Sequence, residues 1–158
     1  MLLKLKILLV VISLFSFNNT EVIHRDTPLK LDRKGNIIGL PKQYKNPKFI
    51  VKDKKLSINN KTVIFPECLQ QFFKSKEYCE IDLSASWYHY KDVIPYYLNF
   101  SISSDLVEYS YSILIDLDTL EFISVSKNYM EGNRFYSPEI KLEKQCLSEY
   151  KSRIKNIE

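Results

Sequence analysis

The sequence predicts an α+β fold: an antiparallel β meander of about four main strands, an N-terminal β-hairpin, a short helix before the meander and a longer C-terminal helix. Two observations predict the sheet and one predicts the helices. Four stretches between Glu80 and Ser126 alternate apolar and polar residues with a period of two, which is typical of strands with one buried face. Short polar segments connect these stretches. On either side, apolar residues recur at three- and four-residue spacing, which is typical of amphipathic helices.

The first seventeen residues are expected to be a signal peptide or an N-terminal anchor. Lys4 and Lys6 precede an apolar run from Ile7 to Phe15, and this run is too short to span a bilayer as a stable helix. The residues after it contain no clear small-residue cleavage pattern, so an uncleaved anchor is the alternative. Both interpretations predict an exported chain, either periplasmic or secreted.

Residues 18–47 are expected to form an extended, basic lead-in to a single α+β domain at residues 48–158. Pro and Gly interrupt this stretch, and its apolar residues follow no sustained period. Residues 21–55 contain ten basic and four acidic residues, whereas residues 56–158 contain eleven basic and fifteen acidic residues. The folded domain is therefore expected to be mildly acidic, which argues against a nucleic-acid partner.

A β-hairpin and a short helix are predicted before the meander. The segments KLSI and TVIF flank Asn59-Asn60, a tight-turn sequence, because Asn tolerates positive φ. A short strand is also predicted at Lys48–Asp53. Pro66 is favoured in the first turn of a helix, and the apolar spacing after it predicts an amphipathic helix over residues 66–76.

The meander is predicted to contain strands at residues 80–89, 95–103, 107–116 and 120–126. Residues 128–136 are expected to form a loop. Ser137 is expected to cap the C-terminal helix, with Pro138 at its first position. One side of that helix would carry Leu142, Cys146, Leu147, Tyr150 and Ile154.

The three Cys residues leave two disulfide pairings open, Cys146 with Cys68 or Cys146 with Cys79. If one helix joined Cys68 and Cys79, they would lie roughly 16 Å apart, beyond the reach of a disulfide. Three buried, reduced thiols are the alternative, since free Cys is often buried. The Cys and His residues lack ligand-pair spacing, so no metal site is expected.

The sequence contains no motif for a nucleotide cofactor or for an activated nucleophile. Its three Gly residues cannot build a phosphate-binding loop, and G-x-S-x-G is absent. No cofactor is expected. His89 is the only His of the predicted domain, so a hydrolase that uses His89 is the one catalytic alternative.

The stretch SASWYHYKDVIPYYLNF, residues 84–100, is the main candidate for a binding surface. It places aromatic residues on both faces of two neighbouring strands, and only one face can be core. The other face would present Tyr, which is enriched at interfaces; in the alternative, the rings form cross-strand pairs that hold the sheet. The candidate binding residues are Tyr88, His89, Tyr90, Asp92, Tyr97 and Tyr109.

These observations predict a small, exported, non-enzymatic binding protein. The favoured form is an inhibitor or immunity-type protein that blocks a partner protein in the cell envelope, with carboxylates around aromatic anchors to attract a basic partner. A small-ligand or carbohydrate-binding module is the alternative, and it requires a concave aromatic pocket. No nucleic-acid partner is expected, and no membrane contact beyond the targeting segment.

Overall fold

A computed structural model of the chain describes residues 24–73, 79–88, 96–104 and 108–157. Helix α1 (Glu67–Gln70) continues into a 3-10 turn (Gln71–Phe73), and helix α2 spans Lys144–Ser152. In these ranges no helix is long and apolar enough to cross a membrane. The strands, in chain order, are β1 (His24–Leu31), β2 (Ile37–Ile38), β3 (Lys48–Ile50), β4 (Lys55–Ile58), β5 (Lys61–Ile64), β6 (Cys79–Tyr88), β7 (Tyr96–Ser104), β8 (Tyr109–Asp116), β9 (Phe122–Glu131), β10 (Arg134–Tyr136) and β11 (Lys155–Asn156).

The strands form two antiparallel sheets, so the described part of the chain is mostly β, with two short helices. The large sheet has the order β10-β9-β8-β7-β6-β1-β2, and the small sheet has the order β11-β5-β4-β3. Strands β6 to β9 are the predicted meander, and each pairs with the next. Their register aligns Leu83, Phe100 and Ile113 across three strands, which gives the sheet one apolar face.

The N-terminal segment differs from the expected lead-in, because residues 24–47 belong to the fold. Strand β1 pairs with β6 from His24 opposite Tyr88 to Leu29 opposite Leu83, and Leu29 is buried. The sequence pattern did not predict this strand, because Pro28 is unfavourable inside a strand. Strand β2 reaches only the last two residues of β1, so at Pro28 one side of β1 is an edge, where the missing N–H costs no ladder bond.

The C-terminal helix is shorter than predicted, and the first helix can be compared with its prediction only as far as Phe73. Residues 74–76, the end of the predicted first helix, lie outside the described residues. Helix α2 begins at Lys144, because residues 137–140 run extended beside β9 instead: the Lys127 N–H donates to the Pro138 carbonyl (3.1 Å) and the Ile140 N–H to the Val125 carbonyl (2.7 Å). Pro138 suits this edge position as well as it would suit a helix start.

The predicted loop at residues 128–136 is a β-hairpin. Strand β9 continues to Glu131, turns through Gly132 at a φ of 58°, and returns as β10. Its side chains are partly or fully exposed on both faces, so the hairpin lacks the apolar alternation that marks a half-buried strand. The other tight turn, at Asn59, has the expected positive φ of 56°.

An aromatic cluster joins the two sheets. The Phe100 ring on β7 lies 4.8 Å from the Phe49 ring on β3, 5.6 Å from the Phe65 ring and 6.1 Å from the Phe73 ring, measured between centroids. Both Phe49 and Phe100 are fully buried. Tyr150 on α2 closes the cluster at 5.9 Å from Phe65, and its hydroxyl donates to the Leu120 carbonyl at 2.7 Å.

A disulfide between Cys68 and Cys146 ties α1 to α2. The Cα atoms lie 6.0 Å apart, and 78 residues of sequence separate the two cysteines. Of the two pairings that the sequence leaves open, this is the one present. It connects the elements on either side of the meander, so the chain between the two cysteines, which includes the whole meander, forms one closed loop.

Loss of this disulfide is expected to destabilise the fold by about 4 kcal/mol, because a loop of this length restricts the unfolded chain strongly. The measurement is urea unfolding of the unmodified chain, with and without a reductant, and of the double variant Cys68→Ser/Cys146→Ser. The double variant should show the loss without reductant and no further effect with it. Equal stability of the unmodified chain and the double variant, with and without reductant, would contradict the pairing.

We expect the free energy of unfolding to fall at alkaline pH because of Tyr150. Burial, and next the Glu121 carboxylate, raise the pKa of the Tyr150 phenol above its ordinary value of 10.0. Below about pH 10 both folded and unfolded chains hold the proton, whereas above it the unfolded chain releases the proton first, so the free energy of unfolding falls as pH rises.

We expect Tyr150→Phe to cost about 1 to 2 kcal/mol at neutral pH, since it leaves the buried Leu120 carbonyl without this donor. The same variant should lose less stability than the unmodified chain when the pH is raised above 10. Urea unfolding at a series of pH values measures both effects. Parallel alkaline declines in the two proteins would contradict the assignment to Tyr150.

Candidate functional site

The two faces of the large sheet differ in what covers them. The apolar face of Leu83, Phe100 and Ile113 packs on the small sheet and the helices. Short hydroxyl and amide side chains dominate the opposite face, and these side chains are half-buried: Ser84, Asn99, Ser101, Ser112, Ser124, Ser126 and Asn128. Some of these bond to one another, as where the Asn128 amide donates to the Ser112 hydroxyl at 2.7 Å. We call this face the serine face; it is not the tyrosine face that the sequence suggested.

The structure separates the predicted site residues. Tyr97 lies half-buried on the serine face, opposite Asp116, whereas Tyr109 lies on the other face of the sheet. Tyr88 ends β6, where its backbone pairs with His24. His89, Tyr90 and Asp92 lie outside the described residues, and so does the hydrolase hypothesis that rests on His89.

Tyr109 belongs to a row of tyrosines that crosses three strands. In the register of the sheet, Tyr109 on β8 lies opposite Tyr129 on β9, and Tyr129 lies opposite Tyr136 on β10. Tyr111 and Lys127 form the next pair along β8 and β9. These five residues, which we call the tyrosine platform, are all half-buried and share the covered face of the sheet, beyond its fully buried core.

Ring contacts hold the platform in place. The rings of Tyr129 and Tyr136 stack with centroids 5.4 Å apart and planes 15° apart, and the Tyr109 and Tyr111 rings meet edge to face at 5.4 Å. The Lys127 ammonium lies 4.1 Å from the centroid of the Tyr109 ring, within the range of a cation–π contact. Each ring is therefore fixed by a neighbour before any ligand arrives.

Phe72 anchors the platform to the core. Its ring, in the 3-10 turn after α1, lies 5.0 Å from the Tyr111 ring. Burial, and next the neighbouring Tyr109, raise the pKa of the Tyr111 phenol. Tyr111 therefore stays a neutral phenol across the physiological pH range, able both to donate and to accept a hydrogen bond.

A groove opens beside the platform at Tyr111. It encloses about 510 Å³, and its walls are Phe72, Ile140, Leu142 and the Cys68–Cys146 disulfide. Gln71, Lys141 and Glu143 add polar groups to its lining. The groove is large enough for a few side chains of a partner or for a small ligand, and it is continuous with the platform through Tyr111.

The hairpin of β9 and β10 also exposes apolar side chains on its far side. Met130 and Phe135 are cross-strand partners there, with 56% and 65% of their surface exposed. With Ser103 and Glu108 they line a shallow hollow of about 270 Å³. The hairpin therefore presents aromatic or apolar groups on both of its sides, with Glu131 and Arg134 exposed near the turn.

Sequence reasoning missed Tyr129 and Tyr136 because it assigned them to a loop. The signal was the period-two pair Lys127 and Tyr129, which repeats the spacing of Tyr109 and Tyr111 on β8. In the described residues, no group of three His, Cys, Asp or Glu side chains could hold a metal ion. Protein-family models, curated proteins and solved structures contain no match to this chain.

Proposed function

We propose that this chain is a small, exported, non-enzymatic protein that binds another protein through the tyrosine platform. The observation that carries the proposal is the row of half-buried Tyr109, Tyr129 and Tyr136 across three neighbouring strands. Tyrosine combines a large apolar contact area with a hydroxyl, and its two side-chain torsions make it inexpensive to immobilise. The stacked rings reduce that entropy cost further, because they are ordered before binding.

The residues around the platform have the composition of a protein interface. Tyr, Phe, Met and Arg are enriched at such interfaces, and the β9–β10 hairpin carries all four, in Tyr129, Phe135, Met130 and Arg134. The groove at Tyr111 adds a pocket into which one anchoring side chain of a partner could insert. Together these features support a contact with a folded protein.

The specific form that we propose is an inhibitor or immunity-type protein of the cell envelope. Blocking a partner requires only a stable surface that covers the partner's site. The Cys68–Cys146 disulfide supports an oxidising compartment, as expected for an exported chain. The exposed charges near the platform are mixed, because Arg134 lies opposite Glu131 and Glu108 precedes Tyr109, so these charges do not favour a basic partner.

A small-ligand or carbohydrate-binding module is the second candidate, and the groove at Tyr111 is the feature that favours it. Its volume of about 510 Å³ suits a small molecule, and Phe72 and Tyr111 supply aromatic walls. These two rings pack on each other with centroids 5.0 Å apart, which leaves less of each ring for stacking on a sugar. The platform therefore remains the first choice.

The first test is recovery of a stoichiometric partner from the native host with a C-terminally tagged chain, followed by variants. Tyr129→Ser/Tyr136→Ser should lower the partner's affinity by about 2 kcal/mol or more, since interface Tyr residues often act as hot spots. Isothermal titration calorimetry with the purified partner measures the change. Circular dichroism checks that the hairpin variant remains folded.

The matched control is Tyr97→Ser, which removes a half-buried Tyr from the serine face. It should leave the affinity unchanged. A loss of binding with Tyr97→Ser and not with the platform variant would transfer the site to the serine face. A partner that both variants bind as tightly as the unmodified chain would exclude both Tyr surfaces.

A further inference from the structure

The basic charge of the chain is concentrated on the small sheet. Residues 24–73 contain eleven basic and four acidic residues, and this segment is folded, so the described domain is not acidic as expected. The small sheet with its turns, residues 48–64 and 153–156, contains seven basic residues and one acidic residue. The large sheet with its described turns, residues 24–38 and the described residues between 79 and 136, contains nine acidic and six basic residues. The two sheets thus have opposite charge.

The outer face of the small sheet carries lysine and aliphatic side chains in two rows. The first row crosses all four strands as Lys48, Ser57, Thr62 and Lys155. The second row is Ile50, Lys55 and Ile64. We call these residues the lysine–isoleucine face. It contains no acidic residue and no aromatic ring, and the row from Lys48 to Lys155 spans about 14 Å at the usual strand spacing.

The three lysines of this face have no ionic partner within the described part of the chain. The neighbouring lysines differ: the Lys61 ammonium donates to the Asp118 carbonyl at 2.8 Å, and Lys54 lies over the Phe73 ring. Lys48 and Lys55 are half-buried, so their methylene stems lie along the sheet while the ammonium groups reach solvent. Ile64, opposite Lys55 on the neighbouring strand β5, is 42% exposed.

We propose that the lysine–isoleucine face rests on a membrane surface of anionic lipid. Each Lys close to such a surface is attracted by its negative potential, and the aliphatic side chains can enter the boundary between headgroups and acyl chains. The ammonium is a compact point charge that needs no fixed partner geometry, which suits a laterally mobile layer of headgroups. This contact goes beyond the proposed protein-binding function and uses a different sheet.

The composition of the face disfavours two other partners, single-stranded nucleic acid and an acidic protein. Single-stranded nucleic acid is bound with aromatic stacking platforms, and the face has none. The cores of protein–protein interfaces are depleted in Lys and Ser, which here make up four of seven positions. Arg153, whose guanidinium lies beside the face, is already bonded to the Glu149 carboxylate.

The test is co-sedimentation of the full chain with phosphatidylcholine vesicles that either contain or lack phosphatidylglycerol. The variant Lys48→Gln/Lys55→Gln/Lys155→Gln should bind the anionic vesicles roughly a hundredfold more weakly at low salt, the loss expected for three lysines at such a surface. High salt should remove most of the difference. The N-terminal segment is the same in all samples, so it contributes equally.

The matched control is Lys141→Gln/Lys144→Gln/Lys151→Gln, which removes three exposed lysines from around α2 and the same net charge. It should bind anionic vesicles nearly as well as the unmodified chain. Equal losses in the two triple variants would show attraction by net charge alone and overturn the proposal. Binding to soluble polyglutamate without binding to anionic vesicles would also overturn it, in favour of an acidic protein partner.

Discussion

The contact of the Phe100 ring with Phe49 and Phe65 is the interaction on which the rest of the structure depends. It joins the large sheet to the small one, and it buries one face of each. A small domain buries little apolar surface, so a few large rings between the layers carry much of its stability. The disulfide between α1 and α2 then closes the same region.

Sequence periodicity identified the elements that the aromatic cluster buries on one side. The strands of the meander alternate clearly, since Leu83, Phe100 and Ile113 must face the core while Ser and Asn lie on the opposite, half-buried face. Periodicity failed where an element lies at an edge or is exposed on both faces, as at Pro28 in β1, the β9–β10 hairpin and the extended residues around Pro138. These segments are extended because they pair with neighbouring strands, and a local sequence pattern does not reveal that pairing.

The candidate site was only partly predictable for the same reason. The sequence identified Tyr109 as a candidate and grouped it with Tyr97. The register of the strands instead places the two on opposite faces of the sheet. Tyr129 and Tyr136 come to Tyr109 only because β9 and β10 form a hairpin and lie beside β8. A one-residue change in register would send these rings to the serine face, so the platform is a product of pairing rather than of composition.

The position of β1 also reverses the electrostatic argument. With residues 24–47 outside the fold, the domain would be acidic and suited to a basic partner. With them inside, the domain is basic, and its charge is concentrated on the small sheet while the tyrosine platform lies on the large one. Because the two surfaces belong to different sheets and share no residue, occupation of one need not block the other. Under the two proposals, the lysine–isoleucine face lies on an anionic membrane surface while the tyrosine platform stays available to a partner protein.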